Sequence, residues 1–202
     1  MRKKIRFYHQ HTLETCGPSC MLMLLDYYRK VEYPTPKMEQ KLYSLYRSRA
    51  YCGTTGGAVA NCLSRNGLDV QLLHSSENLM DNRDGYFEED LFRALLREYR
   101  EQVEACRDQI YLETGTQIDC ERLKQFLTSG KQVMLQCIIP GDADGIHQEI
   151  LHWILLFDYD GTHFVGCDPL AFHPTERMRL TDAEVEHYMD TPIGRICVVV
   201  GE

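Results

Sequence analysis

The N-terminal third of the chain is patterned as helices. Apolar residues recur at helical spacing over residues 16–29, and Pro18 suits the first turn of such a helix, where a missing N–H costs nothing. The spacing predicts a second helix over residues 37–47. A third begins near residue 54 and ends at Asn66-Gly67, a typical helix stop. A short strand over residues 70–73 is expected to follow.

The middle of the chain is strongly charged but still periodic. Residues 77–108 carry ten acidic and five basic side chains. Apolar residues recur there at every fourth position, at Phe87, Leu91, Leu95, Tyr99 and Val103. This pattern predicts an amphipathic helix, and its acidic first turn suits the helix dipole. We interpret its charges as a solvated helix face, with a lid or a partner surface as the alternative.

The C-terminal third changes to the pattern of strands. A shorter helix is expected over residues 119–127, and Thr181 and Glu184 form a capping box that begins a helix ending near residue 189. Asp160-Gly161 is a hairpin signal. Four apolar, β-rich runs predict strands at residues 133–139, 150–157, 163–167 and 195–200. The order predicts one α+β domain over residues 1–202, with a helical half, an antiparallel sheet half and a helical acidic insertion at about residues 77–118.

Charge and composition exclude several classes of protein. The 22 basic and 30 acidic residues give a net charge of −8, which argues against a nucleic-acid binder. No apolar run approaches the roughly 18 residues of a membrane span, and no signal peptide is recognisable. The chain has nine cysteines, an odd number, and most of them lie in apolar stretches. They indicate reduced thiols in a cytoplasmic protein rather than a disulfide framework.

One cysteine has the surroundings of a nucleophile. Cys16 falls at a predicted helix start, where unpaired N–H groups and the helix dipole favour a thiolate. His152 lies 136 residues later in an apolar strand, within the roughly 130–150 typical of papain-like enzymes. Asp168 follows across the predicted hairpin, close enough to orient the imidazole. Gln10, six residues before Cys16, can donate to an oxyanion together with the Cys16 N–H.

These residues resemble a known family. The run Gln-His-Thr-Leu-Glu-Thr-Cys-Gly-Pro-Ser-Cys-Met from Gln10 to Met21 is similar to the active-site segment of the bacteriocin-processing, double-glycine leader peptidases. Those enzymes are papain-like cysteine peptidases usually fused to ABC transporters. Further similar segments follow in order, namely Tyr27-Tyr28, Gly53-Thr54-Thr55, Asn66-Gly67-Leu68-Asp69-Val70, His152 and Asp168-Pro169. Residues 77–118 lie outside the resemblance, and Glu14-Thr15 departs from the usual acidic residue before the nucleophile. We expect a stand-alone domain without a fused transporter.

The resemblance implies a papain-like fold and a role for each of four residues. Cys16 would be the nucleophile, His152 the base, Asp168 its orienter and Gln10 the oxyanion donor. Cys20 is the competing nucleophile, but it lies ten residues from Gln10 and a full turn inside the helix. No cofactor and no metal are expected. The histidines considered as ligands, His147, His163 and His173 with Cys167, lie around loops without a repeating ligand spacing.

The function expected from this reasoning is a cysteine peptidase that forms a thioester acyl-enzyme. Its substrate would be a peptide or a related acyl compound, such as a leader peptide. Two alternatives stay open. One is an acyl- or peptidyl-transferase, similar to phytochelatin synthase or acting on carrier-protein thioesters, because an amine can replace water in resolving the acyl-enzyme. The other is a catalytically silent binding module that retains the cleft.

Overall fold

The computed structural model describes residues 4–143, 146–170 and 177–202. His173 lies outside them, as does the side chain of His147. The helices of the described residues are α1 (Cys16–Tyr27), α2 (Pro36–Tyr46), α3 (Gly56–Arg65), α4 (Glu89–Glu104), α5 (Cys120–Thr128) and α6 (Asp182–Met189). The strands are β1 (Asp69–His74), β2 (Ile110–Glu113), β3 (Gln132–Ala143), β4 (Ile146–Tyr159), β5 (Phe164–Cys167), β6 (Met178–Leu180) and β7 (Ile196–Gly201).

Local sequence signals account for the helix ends. Thr55 caps α3 by accepting a hydrogen bond from the Ala58 N–H, and Gly67 takes the positive φ of +73° beyond the C-terminus of this helix. Both bonds of the capping box between Thr181 and Glu184 are present at the start of α6. The six helices lie within about two residues of the predicted bounds.

The strands form one sheet in the order β2-β1-β7-β3-β4-β5-β6. The sheet is antiparallel from β1 to β6, as expected, and β2 adds a parallel edge beside β1. Neither β2 nor β6 was predicted, because each is a short strand at an edge of the sheet where few side chains are buried, so its sequence carries little apolar signal. Strand β1, from the helical half, joins the C-terminal strands by pairing with β7. The α+β class is therefore confirmed, with the sheet drawn from both halves.

Helices cover both faces of the sheet. Met134 of β3 and Val198 of β7 belong to a core shared with α1, α3 and α4, while Val133 and Val199 face a second core with α5 and α6. Strand β7 is buried along its whole length, which explains its unbroken apolar sequence. No helix in the described ranges is long and apolar enough to cross a membrane.

The acidic helix α4 packs closely against α3. A methyl group at Gly56 would collide with the Tyr99 hydroxyl, and one at Gly57 would lie 3.2 Å from the Tyr99 carbonyl oxygen. Glycine at these two positions allows the two helices to approach. Leu95, Tyr99 and Val103 are buried at this contact. The apolar stripe predicted along the helix is thus confirmed as its packing face.

Candidate active site

Cys16 is the first residue of α1 and is 5% exposed. The residue before it, Thr15, makes no side-chain capping bond and instead donates its hydroxyl proton to the Thr12 carbonyl oxygen at 3.0 Å. The first turn of α1 also contains no acidic residue. The positive end of the helix is therefore left to Cys16.

His152 and Asp168 form a buried ion pair. The imidazole Nε2 lies 2.7 Å from the Asp168 Oδ1, and the two residues are only 2% and 5% exposed. The carboxylate also accepts a hydrogen bond from the Leu170 N–H at 2.8 Å, which fixes its orientation. The antiparallel pairing of β4 with β5 brings the two residues together, as the hairpin signal predicted.

Cys16 lies near the imidazole of His152 and interacts with it electrostatically. Burial by itself would lower the pKa of His152. The electrostatic interaction with Cys16 and the hydrogen bond to Asp168 outweigh burial and raise this pKa above its ordinary value of 6.5. Because Nε2 is occupied by Asp168, Nδ1 is the nitrogen left for sulfur. The three predicted residues therefore meet in the order thiol, imidazole, carboxylate.

The backbone of Gln10 lies close to the His152–Asp168 pair. Its N–H donates to the Pro169 carbonyl oxygen at 2.9 Å, which ties the N-terminal loop to the residue after Asp168. Its side-chain Nε2 donates to the Thr12 carbonyl at 2.9 Å and to the Leu13 carbonyl at 3.4 Å. The second bond is long and weak, so the amide retains donor capacity beside the start of α1.

Cys20 occupies a different environment. It is fully buried, and its thiol donates to the Trp153 carbonyl oxygen at 3.5 Å. Burial raises the pKa of Cys20 well above its ordinary value, which favours the neutral thiol. None of the nine cysteines, all of which are described, forms a disulfide, and all except Cys52 are buried.

A turn over residues 53–55 packs against the start of α1. The Thr54 carbonyl oxygen accepts a 2.7 Å hydrogen bond from the Trp153 indole N–H, which links β4 to the start of α3. The Thr54 side chain lies against Gly17, where an added methyl group would be only 2.9 Å from the Thr54 Cβ. Residue 17 must therefore be glycine, because this turn leaves no room for a side chain there.

Sequence reasoning missed a buried carboxylate that holds the Gln10 loop. Glu39 of α2 is 0% exposed and accepts hydrogen bonds from the His11 N–H at 2.8 Å and the Tyr8 hydroxyl at 2.9 Å. Its Oε2 also lies 2.6 Å from the His11 Nδ1, and the Ser19 hydroxyl donates to its Oε1 at 3.4 Å. No motif marks Glu39, because all of these partners are distant in sequence from it.

The acidic segment supports the other side of the site. Glu98 of α4 is buried and accepts hydrogen bonds from the Ser48 hydroxyl at 2.8 Å and from the N–H groups of Arg49 and Ala50. These residues precede the 53–55 turn. The Tyr86 hydroxyl donates to the Glu149 carbonyl oxygen of β4 at 2.9 Å. The segment therefore contacts both the turn and the strand beside Cys16.

The fold is similar to that of solved C39 peptidases. A double glycine motif protease from an AMS/PCAT transporter, solved in complex with the leader peptide, aligns with a TM-score of 0.53 at 14% identity, over 98% of this chain and 92% of that one. A putative C39-like peptidase from Bacillus anthracis gives 0.57 at 10% identity, over 98% and 95%. The peptidase domain of Streptococcus ComA, a bi-functional ABC transporter involved in a quorum sensing pathway, gives 0.51 at 10% identity, over 98% of both chains.

Fold and comparisons together define a papain-like fold of the C39 peptidase type. The sequence matches the family model of the Peptidase_C39 like family over residues 5–189, so the chain belongs to that family. The resemblance noted in the sequence is thereby confirmed. Comparison with curated proteins gives no match.

Replacing Glu39 should loosen the loop that carries Gln10. Glu39→Ala removes the buried acceptor shared by the His11 N–H, the Tyr8 hydroxyl and the Ser19 hydroxyl, and we expect a loss of about 3 kcal/mol in the free energy of unfolding. Urea unfolding of this variant and of Glu32→Ala, at an exposed glutamate, measures the difference. Equal stability of the two variants would contradict the role given to Glu39.

Proposed function

We propose that this chain is a cysteine peptidase in which Cys16 is the nucleophile, His152 the base and general acid, and Asp168 its orienter. The observation that carries the proposal is the buried 2.7 Å pair of His152 and Asp168 near Cys16, which stands at a helix start without a side-chain cap. A nucleophile, a base and a group that orients the base are the parts of thiol catalysis.

The proposed reaction proceeds through a thioester. The Cys16 thiolate attacks the peptide carbonyl carbon, and the carbonyl oxygen becomes an oxyanion. The imidazolium of His152 gives its proton to the leaving nitrogen as the C–N bond breaks, which releases an amine and leaves the acyl group on sulfur. Water then loses a proton to His152 and attacks the thioester. The carboxylic acid leaves, and the thiolate–imidazolium pair is restored.

We assign the oxyanion to two donors at the start of α1. The Cys16 backbone N–H is one, and the Gln10 side-chain N–H that now makes the weak 3.4 Å bond to Leu13 is the other. Giving up that bond costs little, because N–H···O contacts of this length contribute little energy.

A peptide is the proposed substrate class. The AMS/PCAT protease was solved in complex with its leader peptide, and this chain shares that fold. We carry over only the peptide nature of the substrate. The proposed thiolate also needs a reducing compartment such as the cytoplasm, where the buried thiols would stay reduced as well.

Alkylation of Cys16 is the direct test. With iodoacetamide at about pH 6, where an ordinary thiol is mostly protonated, we expect Cys16 to be modified faster than the exposed Cys52, because only a thiolate reacts. Peptide mapping by mass spectrometry identifies the site. Cys16→Ala should abolish peptide cleavage, whereas Cys20→Ala should retain it if it folds. Modification of Cys52 ahead of Cys16 would instead favour a catalytically silent protein.

Gln10→Ala separates oxyanion binding from nucleophilicity. We expect kcat to fall by about 10²-fold with a smaller change in KM, because an oxyanion exists only in the transition state. Iodoacetamide alkylation of Cys16 forms no oxyanion, so its rate should stay within about twofold of the parent. Equal losses in kcat and in the alkylation rate would show that Gln10 only supports the fold.

Asp168→Asn should change the pH dependence of cleavage. The hydrogen bond and charge of Asp168 raise the pKa of His152, so this pKa falls in the variant. Above that pKa the general acid is deprotonated and the rate declines, so the alkaline limb of kcat/KM should move to lower pH, with a rate loss of about 100-fold. Asp108→Asn, at an exposed aspartate, should keep the parent profile. An unchanged limb in Asp168→Asn would remove Asp168 from the mechanism.

A further inference from the structure

A cavity of about 680 Å³ lies beside Cys16. Its lining includes the 53–55 turn, strand β4 and the segment 77–118, together with residues of the loop before α1 and of β3. This volume is in the range of sites that enclose a whole small ligand. It is far larger than two glycine residues would need.

The position of the cavity shows which part of a substrate enters it. In the tetrahedral intermediate the reacting carbon bears sulfur, the oxyanion, the leaving group and the acyl chain. The oxyanion points towards Gln10 and the leaving group towards His152. The cavity is lined by Cys16 but by neither Gln10 nor His152. It therefore lies on the remaining side, along which the acyl chain extends.

The acidic segment gives this cavity an apolar wall. Met80, Phe87 and Leu95 line it, and each of them is at least nine-tenths buried. The hydrogen bond from the Tyr86 hydroxyl to the Glu149 carbonyl joins the segment to β4 at the rim. An apolar side chain packed against this wall buries hydrocarbon surface of both the ligand and the protein, which favours binding.

The polar groups of the wall restrict the chemistry further. Glu14 and Glu149 contribute carboxylates, while no lysine, arginine or histidine of the described residues lines the cavity. An acyl group that carries a carboxylate would therefore be repelled. Among the described residues, the Thr54 Oγ1 and the Gln136 Oε1 have no hydrogen-bond partner, although both side chains are more than nine-tenths buried. Both oxygens can accept a hydrogen bond from an N–H donor.

We propose that this cavity selects a bulky apolar residue without a carboxylate in the acyl part of the substrate, whose N–H groups donate to Thr54 and Gln136. The assignment of the acyl side rests on the proposed function. Met80, Phe87 and Leu95 are then specificity-determining residues that the acidic segment supplies.

Binding to Cys16→Ala protein tests the preference without requiring chemistry. The probes are three N-acetyl dipeptide amides containing Phe-Phe, Gly-Gly or Glu-Glu, titrated by NMR or calorimetry. We expect the Phe-Phe amide to bind at least about 10-fold more tightly than either of the others, as burial of apolar side chains predicts. Equal or tighter binding of the Gly-Gly or Glu-Glu amide, or no binding of the Phe-Phe amide, would overturn the proposal.

Variants that narrow the cavity test whether the Phe-Phe amide binds there. Met80→Trp, introduced into Cys16→Ala protein, should abolish the 10-fold preference, and Leu95→Phe serves the same purpose should the first variant misfold. Leu45→Trp, at an exposed position of α2 outside the cavity, is the matched control and should keep the preference. A preference that survives both narrowing variants contradicts the proposed cavity.

The two proposals fail in different ways. If iodoacetamide does not select Cys16 but the Phe-Phe preference persists and depends on Met80, the catalytic function is wrong and the binding cavity stands. If Cys16 is selectively alkylated but the three peptides bind alike, the cavity proposal is wrong and the catalytic function stands.

Discussion

One buried hydrogen bond connects the helices to the sheet where the candidate site is built. The Trp153 indole N–H needs an acceptor in the core, since leaving it unpaired would cost about 1–3 kcal/mol, and the Thr54 carbonyl provides it at 2.7 Å. Trp153 follows His152 directly in β4, and the Thr54 side chain lies against Gly17, the neighbour of Cys16. This hydrogen bond and the one from the Cys20 thiol to the Trp153 carbonyl oxygen therefore hold the start of α1 against β4, and with it the thiol against the imidazole.

Two buried carboxylates extend this arrangement to the loops on either side. Glu39 gathers the N–H and hydroxyl donors of the loop that carries Gln10, and Glu98 does the same for the residues that lead into the 53–55 turn. Loops without regular structure leave backbone donors unpaired, and a buried acid that accepts several of them replaces a strand partner. Both loops are held from helices α2 and α4, so the geometry near Cys16 depends on packing well outside the cleft.

The sequence predicted those parts of the molecule whose signals are local. The end of α3 at Asn66-Gly67, the α6 capping box and the hairpin that brings Asp168 to His152 each have a signal within a short stretch of sequence, and the structure has all three. The parallel pairing of β2 with β1 and the bonds to Glu39 depend on residues far apart in the chain, so no periodicity marks them. The charges of residues 77–108 indicated a solvated face. They gave no indication that the apolar stripe of α4 also forms part of a wall beside Cys16.

The glycine pair at the start of α3 limits how the acidic segment could be transferred to another protein. Glycine inside a helix costs roughly 0.5–1 kcal/mol relative to alanine, and the close approach of Tyr99 of α4 to Gly56 and Gly57 is one reason why that cost is accepted here. A recipient helix with alanine or serine at the two positions would hold α4 at a greater distance. Transfer of the segment therefore requires the two glycines as well, because α3 and α4 fit as a matched pair.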